Sequence, residues 1–322
     1  MIRCDIHAYF FATLMTQANP NRLHKNCPLV HRFMTDPEHA DRFQSSPVSG
    51  FRFVRAWDPD HDLAKQFSET YRDSPDVCQS PKEAIIGIDA AFISCCSLDG
   101  SDHLELARPF LRAGLPTFID KPFAASYKDA KAIVRLSEQY QAPLMAASML
   151  HQADGTTDLR QRQSELGELG LAIIRGSHGW ETKSGLEGIT HGIAMALAIY
   201  GHNVDWVECM GELPREFVLM HYPHGGKVLV INMDQAYWPD RFQADAWGHR
   251  SRTTPPAKTH LRSAPIGDAE FPAAGMKLVR QFRQMVRTRK TPVPYPHLLK
   301  WVKVAEAAER AQKTSKRVYL RN

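Results

Sequence analysis

The sequence lacks the patterns that mark several protein classes. No apolar run reaches the ~18 residues of a membrane-spanning helix, and no basic segment followed by an apolar stretch opens the chain. The six cysteines form no CxxC pair and no framework spacing, which favours a reduced protein in the cytoplasm. A net charge of +5 without a long Lys/Arg block argues against nucleic acid as a partner. We therefore expect a cytoplasmic protein that binds neither membranes nor nucleic acids.

What the sequence does contain is typical of a soluble globular protein. The 322 residues exceed one ordinary hydrophobic core and suit two domains. Hydrophobic residues make up 43% and charged residues 23%, close to globular averages. There is no internal repeat and no low-complexity tract. Function must therefore be sought in motifs and in their position along the chain.

Strands and helices alternate in the first part of the chain. Short apolar or aromatic runs predict strands at residues 51–57, 90–96, 117–120 and 143–148, and helices are predicted at 62–71, 103–113 and 127–140. Continuous apolar strands separated by helices are typical of a parallel sheet covered on both faces. We expect an α/β domain over residues 1–149, in which residues 16–50 form an insertion-like, irregular segment with a short helix near 37–43.

The pattern changes after His151. Strands are predicted at residues 172–177, 207–210, 216–221 and 227–233, a helix at 189–200, and loop structure over the polar segment 239–270. Two helices, at about 273–288 and 296–313, end the chain and could pack back on the first domain. We expect residues 150–322 to form an α+β domain with a mainly antiparallel, open sheet.

One motif at the end of a predicted strand is specific. Asp120-Lys121-Pro122 follows the apolar run 117–120, with His103 and the turn 113–116 upstream. This arrangement resembles the Gfo/Idh/MocA family of nicotinamide-dependent sugar and inositol dehydrogenases, in which the residue before Lys-Pro is usually Glu. The resemblance covers most of the chain and implies a Rossmann-type doubly wound parallel sheet followed by the α+β domain. It also implies that Lys121 contacts both substrate and cofactor; a surface salt bridge is the alternative for such a lysine.

The family resemblance implies further residues for catalysis and substrate binding. Removal of a hydride from a carbinol carbon requires a base for the hydroxyl proton, and the matching position is His191, four residues after Glu187 on one helical face. Glu187 replaces the family's usual Asp, and a solvated carboxylate is the alternative there. A helix-capping or core histidine is the alternative for His191. His151 and Trp180 are interpreted as substrate contacts, against an ordinary loop histidine and a core tryptophan.

The segment expected to bind the cofactor's phosphates departs from the usual glycine motif. A dinucleotide-binding fold normally places GxGxxG between its first strand and helix, but those glycine positions hold Arg3, Asp5 and Ala8. Asp5 puts a negative charge where phosphate is expected, and only three residues precede Cys4, too few for the usual first strand. Either the start of that strand is missing or the domain is truncated.

Asp58, at the end of the second strand, favours NAD over NADP because it can accept hydrogen bonds from both ribose hydroxyls; a strand-ending turn residue is its alternative. The complete set of cofactor contacts implied by the resemblance is Cys4, Asp5, Ile6, His7, Asp58, Cys96, Ser97, His103, Asp120 and Lys121.

Three functions follow from these features. The first is an NAD-dependent dehydrogenase acting on a hydroxyl of a sugar, polyol or related carbohydrate, or a lyase or hydrolase that uses bound NAD transiently. The second is a non-catalytic ligand-binding or regulatory protein, which Asp5 favours. The third, a metal enzyme built on Glu187, His191 and His178, is the least supported because fifteen histidines make chance clusters common, so no metal is predicted. The family usually pairs subunits through the open face of the second sheet, which implies a homodimer or homotetramer.

Overall fold

The computed structural model describes residues 1–35, 47–95, 99–177, 185–212, 215–233, 241–248, 258–267 and 269–320. Two compact units divide the chain. Unit 1 comprises Met1–Ala124, Lys128–Ala147 and Gly275–Leu298, and unit 2 comprises Ala125–Tyr127, Ser148–Ala274 and Leu299–Asn322. No helix among the described residues is both long and apolar enough to cross a membrane.

Parallel strands form the centre of unit 1. The strands β1 (Arg55–Ala56) and β2 (Asp76–Val77) pair in parallel, and β3 (Ala91–Ile93), β4 (Thr117–Ile119) and β5 (Leu144–Ala146) form a second parallel group. Every residue of β3, β4 and β5 is buried, as expected for strands covered on both faces. Predicted strands 51–57, 90–96, 117–120 and 143–148 are thus all present, with shorter regular portions.

Ile2 joins the two groups of strands. It makes parallel bridges to Trp57, directly after β1, and to Ile93 in β3. The Ile2 amide donates to the Phe92 carbonyl at 2.9 Å, and the Arg3 amide donates to the Trp57 carbonyl at 2.8 Å. As predicted, the residues before Cys4 form no regular first strand, and the position of that strand is marked by the isolated bridges of Ile2. Ile2 alone occupies that position, and backbone hydrogen bonds join the chain there to both groups of strands.

The helices of unit 1 include those predicted at 62–71, 103–113 and 127–140, but the prediction of irregular structure over residues 16–50 is wrong at 20–26 and 28–35, where two helices form. The described α-helices of the unit are α1 (Ile6–Thr13), α2 (Pro20–Asn26), α3 (Pro28–Thr35), α4 (His61–Thr70), α5 (His103–Arg112), α6 (Tyr127–Gln139) and α10 (Phe271–Thr288), the last of which enters unit 1 at Gly275. The short helix predicted near residues 37–43 lies outside the described residues. Phe282 of α10 packs against Phe92 and Phe118 of the sheet, with ring centroids 5.4 and 6.1 Å away. A distant part of the sequence therefore completes the first unit's core.

Unit 2 is built on a seven-stranded sheet with one parallel pair. Its strands are β6 (Leu169–Ser177), β7 (Trp206–Glu212), β8 (Arg215–His221), β9 (Lys227–Met233), β10 (Gln243–Gly248), β11 (His260–Arg262) and β12 (Val318–Tyr319). The order of these described strands is β11-β10-β6-β9-β8-β7-β12, and among them only the neighbours β6 and β9 run parallel. The predicted mainly antiparallel sheet is confirmed. The prediction of loop structure over 239–270 is wrong at 243–248 and 260–262, where β10 and β11 extend the sheet on the far side of β6.

One face of this sheet is covered by helix α9 (Gly185–Tyr200). The other described α-helices of the unit are α7 (Asp154–Gln161), α8 (Gln163–Leu166) and α11 (Tyr295–Thr314), and short 3-10 helices lie at Met149–His151 and Pro223–Gly225. Residues 193–197 of α9 are fully buried. The helix approaches β9 closely at Gly192, where an added Cβ would lie 2.3 Å from Val230 Cγ1. The indole of Trp301 in α11 donates to the Thr190 carbonyl at 3.2 Å. These contacts fix the segment that carries His191.

Candidate functional site

The first turn of α1 is capped by Asp5. Its carboxylate oxygen Oδ1 accepts hydrogen bonds from the amides of His7 at 3.0 Å and Ala8 at 3.3 Å. These amides are among the donors that a helix N-terminus offers to a phosphate group. The Asp5 side chain therefore occupies the anion-binding end of the helix, where the sequence predicted a negative charge.

Asp58 lies where β1 leads into α4 and is held by two backbone amides. Cys4 donates to Asp58 Oδ2 at 2.8 Å, and Asp60 donates to Asp58 Oδ1 at 2.9 Å. Burial raises the pKa of the Asp58 carboxyl, while these two hydrogen bonds act in the opposite direction. A carboxylate oxygen can accept more than one hydrogen bond, so both oxygens retain acceptor capacity for ribose hydroxyls. Cys4 itself presents its backbone here, because its side chain is buried.

Asp120 and Lys121 follow β4 in the interior. Asp120 is 2% exposed and Lys121 is 4% exposed. One Asp120 oxygen accepts the Lys121 amide at 2.8 Å, and the other is bonded to the imidazole Nδ1 of His7. His7 thus links the first turn of α1 to the Asp-Lys-Pro motif. Burial of a lysine is rare without a specific partner, which separates Lys121 from the surface lysines of the chain.

His103 begins α5 in a fully buried position. Its Nδ1 lies 3.3 Å from the Phe123 carbonyl oxygen, and burial lowers the pKa of the imidazole, so the ring is neutral at neutral pH. Gly100, with φ of +75°, lets the preceding loop approach closely, since an added Cβ would lie 2.8 Å from the Pro122 carbonyl oxygen. His103 therefore supports the turn that carries Lys121 from behind.

Within the described ranges one group of side chains has the composition of a metal site. Ligand atoms of Cys95, Asp102 and His103 lie within 4.8 Å of one another. Arg3 is ion-paired with Asp102, which places a positive charge beside this group. Burial also raises the pKa of the Cys95 thiol, so the thiolate that a metal requires is disfavoured. As folded, the group is a neutral, charge-balanced cluster.

In unit 2, His191 is paired with Ser148. The imidazole Nδ1 of His191 lies 3.0 Å from the Ser148 hydroxyl oxygen. Ser148 is 1% exposed and also accepts the Leu150 amide at 3.3 Å, which fixes the hydroxyl. In the tautomer with hydrogen on Nδ1, that nitrogen donates to Ser148 and leaves Nε2 as the basic position. The geometry suits an imidazole that accepts a proton at Nε2.

His151 is engaged in a local capping interaction. Its Nδ1 accepts the Ser148 amide at 2.9 Å, and its ring packs edge-on against Trp301 at 5.1 Å. Desolvation lowers the pKa of His151 to about 4. The side chain is therefore a neutral structural element at neutral pH, with only Nε2 available for another contact.

Several predicted site residues lie outside what the structure describes. These are Cys96, Ser97, Trp180 and His178, together with the side chain of Glu187 within α9. The contributions of Ser148 and Asp102 were missed from the sequence. A signal existed for Ser148, because a serine three residues before His151 at the end of a strand is a capping pattern. The partnership of Asp102 with Arg3 spans 99 residues and has no local signal.

The residues that would hold NAD fit the adenosine half of the molecule better than its diphosphate. Asp58 and the strand–turn–helix from Ile2 to α1 correspond to the ribose-binding acid and the phosphate turn. The diphosphate would meet the Asp5 carboxylate unless that side chain left the amides of His7 and Ala8. Lys121, buried after β4, would lie toward the nicotinamide in this arrangement of the fold. The chain thus keeps the strand, turn and helix of a dinucleotide site, but the Asp5 carboxylate would repel the diphosphate.

Comparison with known proteins agrees with a dinucleotide-binding fold in this part of the chain. Residues 33–148 match the model of the Gfo/Idh/MocA oxidoreductase family, described as an NAD-binding Rossmann fold. No curated protein matches the chain in sequence. Among solved structures, myo-inositol dehydrogenase from Lactobacillus casei, in complex with NAD(H) and myo-inositol, has a TM-score of 0.73 at 15% identity, covering 96% of each chain.

Two further structures show the same fold. An oxidoreductase from Agrobacterium radiobacter, in complex with NAD+, L-tartaric acid and magnesium, has a TM-score of 0.71 at 17% identity, covering 99% of this chain and 96% of its own. Scyllo-inositol dehydrogenase from Lactobacillus casei, with NAD(H) and scyllo-inositol, has a TM-score of 0.69 at 15% identity, covering 89% and 94%. At these identities the likeness establishes the fold. Over residues 33–148 the chain is similar to the NAD-binding Rossmann fold of the Gfo/Idh/MocA oxidoreductase family.

Proposed function

We propose that the protein is an NAD-dependent dehydrogenase that oxidises a hydroxyl group of a polyol or sugar. The observation that carries this proposal is Lys121, an almost fully buried lysine after β4 whose neighbour Asp120 is held by His7. NAD supplies the hydride acceptor when it is bound. An ammonium group in such a position can donate to the substrate oxygen and hold the carbinol in one orientation.

His191 is assigned as the base that takes the proton of the reacting hydroxyl. Its Nδ1 is turned toward Ser148, which leaves Nε2 as acceptor. Ser148 is then a positioning residue, because its hydroxyl holds the Nδ1 side of the ring without touching the substrate. Glu187, His151 and Trp180 remain proposals for substrate or base contacts. The inositol ligands of the two Lactobacillus casei enzymes support a cyclic polyol as the first substrate class to examine.

The test is NADH formation with a panel of inositols and hexoses, comparing the natural chain with Lys121→Met. Methionine keeps most of the buried volume but removes the ammonium, so we expect kcat to fall by at least ~100-fold, as for loss of a group that acts in the transition state. Lys128→Met, an exposed lysine seven residues later, is the control and should keep full activity. Circular dichroism and NAD binding check that Lys121→Met is folded. Unchanged turnover in a folded Lys121→Met variant would remove Lys121 from catalysis.

A second candidate is a non-catalytic ligand-binding protein, which the Asp5 cap favours. Such a protein would bind a polyol in a calorimetric titration without forming NADH, whereas measurable polyol-dependent NADH production would exclude it. A lyase or hydrolase that oxidises its substrate transiently would show bond cleavage without net NADH, and product analysis separates that case from the dehydrogenase.

We also infer that two copies associate through the open face of the sheet in unit 2. Side chains alternate along its strands, and the face opposite α9 carries large apolar groups that are unusually exposed. Met210 is 61%, Tyr319 52%, Leu171 40%, Phe217 38% and Trp247 38% exposed. Leu171 is opposite Trp247 and Met210 is opposite Phe217 in the strand register, so these groups form neighbouring pairs. A face of this kind on a soluble protein suits a homodimer, or a tetramer built from dimers.

A further inference from the structure

The position of the first fingerprint glycine holds Arg3, and its backbone keeps a conformation that glycine favours. The φ angle of Arg3 is +67°, in the left-handed region that a residue with a Cβ atom adopts only at a cost. Such conformations persist where the surrounding structure fixes them, and they are frequent at binding sites. The Arg3 amide is fixed in this way, because it donates to the Trp57 carbonyl at 2.8 Å. The turn therefore has a glycine-like backbone at this point and carries a long cationic side chain in addition.

The Arg3 side chain joins the two segments that border the ligand crevice of this fold. Ile2 bridges Trp57 on one side and Ile93 of β3 on the other, so the strand order reverses there. In a doubly wound sheet the ligand lies at such a point, outside the carboxyl ends of the strands. Arg3 directly follows Ile2, and its ion-pair partner Asp102 lies in the segment between β3 and α5. The ion pair therefore connects the chain on one side of the crevice with the chain on the other.

Both members of this ion pair have further hydrogen-bonding capacity. Within the part of the chain that the structure describes, the buried Nε of Arg3 and the buried Oδ1 of Asp102 have no hydrogen-bond partner. The two side chains are 19% and 28% exposed, so a ligand from solvent can reach them. A guanidinium offers five donors in a fork that matches the oxygens of a phosphate group. Arg3 is thus suited to bind an anion at the crevice.

The charge of Arg3 counteracts the acids around the turn. Burial raises the pKa of the Asp58 carboxyl, and Asp5 acts in the same direction, whereas the positive charge of Arg3 opposes them. In the turn from residue 2 to residue 8, Arg3 is the only lysine or arginine. A diphosphate that entered this turn without Arg3 would meet the Asp5 carboxylate with no permanent positive charge from the turn to offset it.

We propose that Arg3 binds the diphosphate of the cofactor and that Asp102 holds the guanidinium in place in the free protein. This inference rests on the proposed function, because it concerns the same NAD site. The Asp5 carboxylate already accepts the amides of His7 and Ala8. The Arg3 side chain therefore supplies donors that backbone amides supply in a glycine-rich turn. Asp102 competes with the diphosphate for the guanidinium, since binding exchanges one charge-assisted contact for another.

Two substitutions that break the same ion pair have opposite expected effects on the Kd for NAD, measured by isothermal titration. Arg3→Met keeps the backbone restriction of a residue with a Cβ atom but removes the charge, and should raise the Kd at least about tenfold, the scale of a lost charge-assisted hydrogen bond. Asp102→Asn removes the competing charge and should lower the Kd by about threefold, the scale of a partly exposed ion pair. A pair that only braces the fold would give weaker NAD binding in both variants, and that result would overturn the proposal.

Arg55 and Asp76 provide a matched control pair elsewhere in unit 1, with the Arg55 side chain 27% exposed. Arg55→Met and Asp76→Asn should leave the Kd for NAD unchanged. ADP-ribose has the diphosphate but no nicotinamide, so Arg3→Met should weaken it by the same factor as NAD; a loss confined to NAD would contradict the diphosphate assignment. Equal Kd values for NAD in the natural chain and in Arg3→Met would overturn this inference alone, whereas a natural chain that binds no NAD would overturn the proposed function with it.

Discussion

At the scale of single residues, Asp5 controls the electrostatics of the phosphate turn. Its carboxylate satisfies the amides of His7 and Ala8 and repels a diphosphate at the same place. We predict that Asp5→Gly lowers the Kd for NAD by about tenfold, because one unit charge at a few ångströms is worth at least ~1 kcal/mol. Glycine costs α1 only a few tenths of a kcal/mol as an N-cap, so the fold should be retained. Isothermal titration with NAD measures the effect.

Asp60 provides the matched control for this substitution. It caps α4 in the same way, accepting the amides of Asp62 at 2.9 Å and Leu63 at 3.4 Å. Asp60→Asn removes the same charge from a helix cap away from the phosphate turn, keeps the backbone amide that holds Asp58, and should leave the Kd for NAD unchanged. Weaker NAD binding by Asp5→Gly would mean that the carboxylate assists the cofactor, contrary to the charge argument.

Residue-level prediction from the sequence succeeded where a motif follows a strand and failed where partners are distant. Asp120-Lys121-Pro122 could be identified because a short apolar run placed it at a strand end. The contact between His7 and Asp120 joins residues 113 positions apart, and the contact between Ser148 and His191 spans 43. Which residues form such pairs depends on how the strands and helices pack, and no pattern of neighbouring residues in a single sequence reveals that packing. The individual residues were visible, but their pairing was not.

At the scale of elements, α10 supplies a part of the core of unit 1 that no neighbouring segment provides. Phe282 is 3% exposed and stacks on Phe51 at 6.0 Å besides contacting the rings of Phe92 and Phe118. We predict that Phe282→Ala lowers the free energy of unfolding of unit 1 by about 3–5 kcal/mol, the usual cost of deleting a buried ring. Gln284→Ala, on an exposed position of the same helix, should change it by less than ~0.5 kcal/mol. Urea denaturation followed by tryptophan fluorescence and circular dichroism gives both values, and a shift for Phe282→Ala no larger than that of the control would refute this role of the helix.

Element prediction worked best for continuous apolar runs. The buried strands β3, β4 and β5 were located because each is apolar throughout and flanked by turns. Strand β10 was missed: Ala244 and Ala246 are fully buried on one side, while the other side carries Gln243, the buried Asp245 and the exposed Trp247. Small residues on the buried side weaken the hydrophobic period, and the surrounding prolines and arginines suggested loop structure. Pairing with β6 supplies the stabilisation that the local sequence lacks.

At the scale of the whole molecule, the open sheet face of unit 2 gives a test of association. A charge placed at Phe217, opposite Met210, would be buried in a dimer interface and exposed in a monomer, so its cost appears only on association. We predict that Phe217→Glu converts a dimer to a monomer in sedimentation velocity at micromolar concentration, with unchanged circular dichroism. Ile86→Glu, which replaces a 62% exposed apolar residue of unit 1, should leave the sedimentation coefficient as it is. A natural chain that sediments as a monomer, or a Phe217→Glu variant that stays dimeric, would show that this face is not the contact between copies.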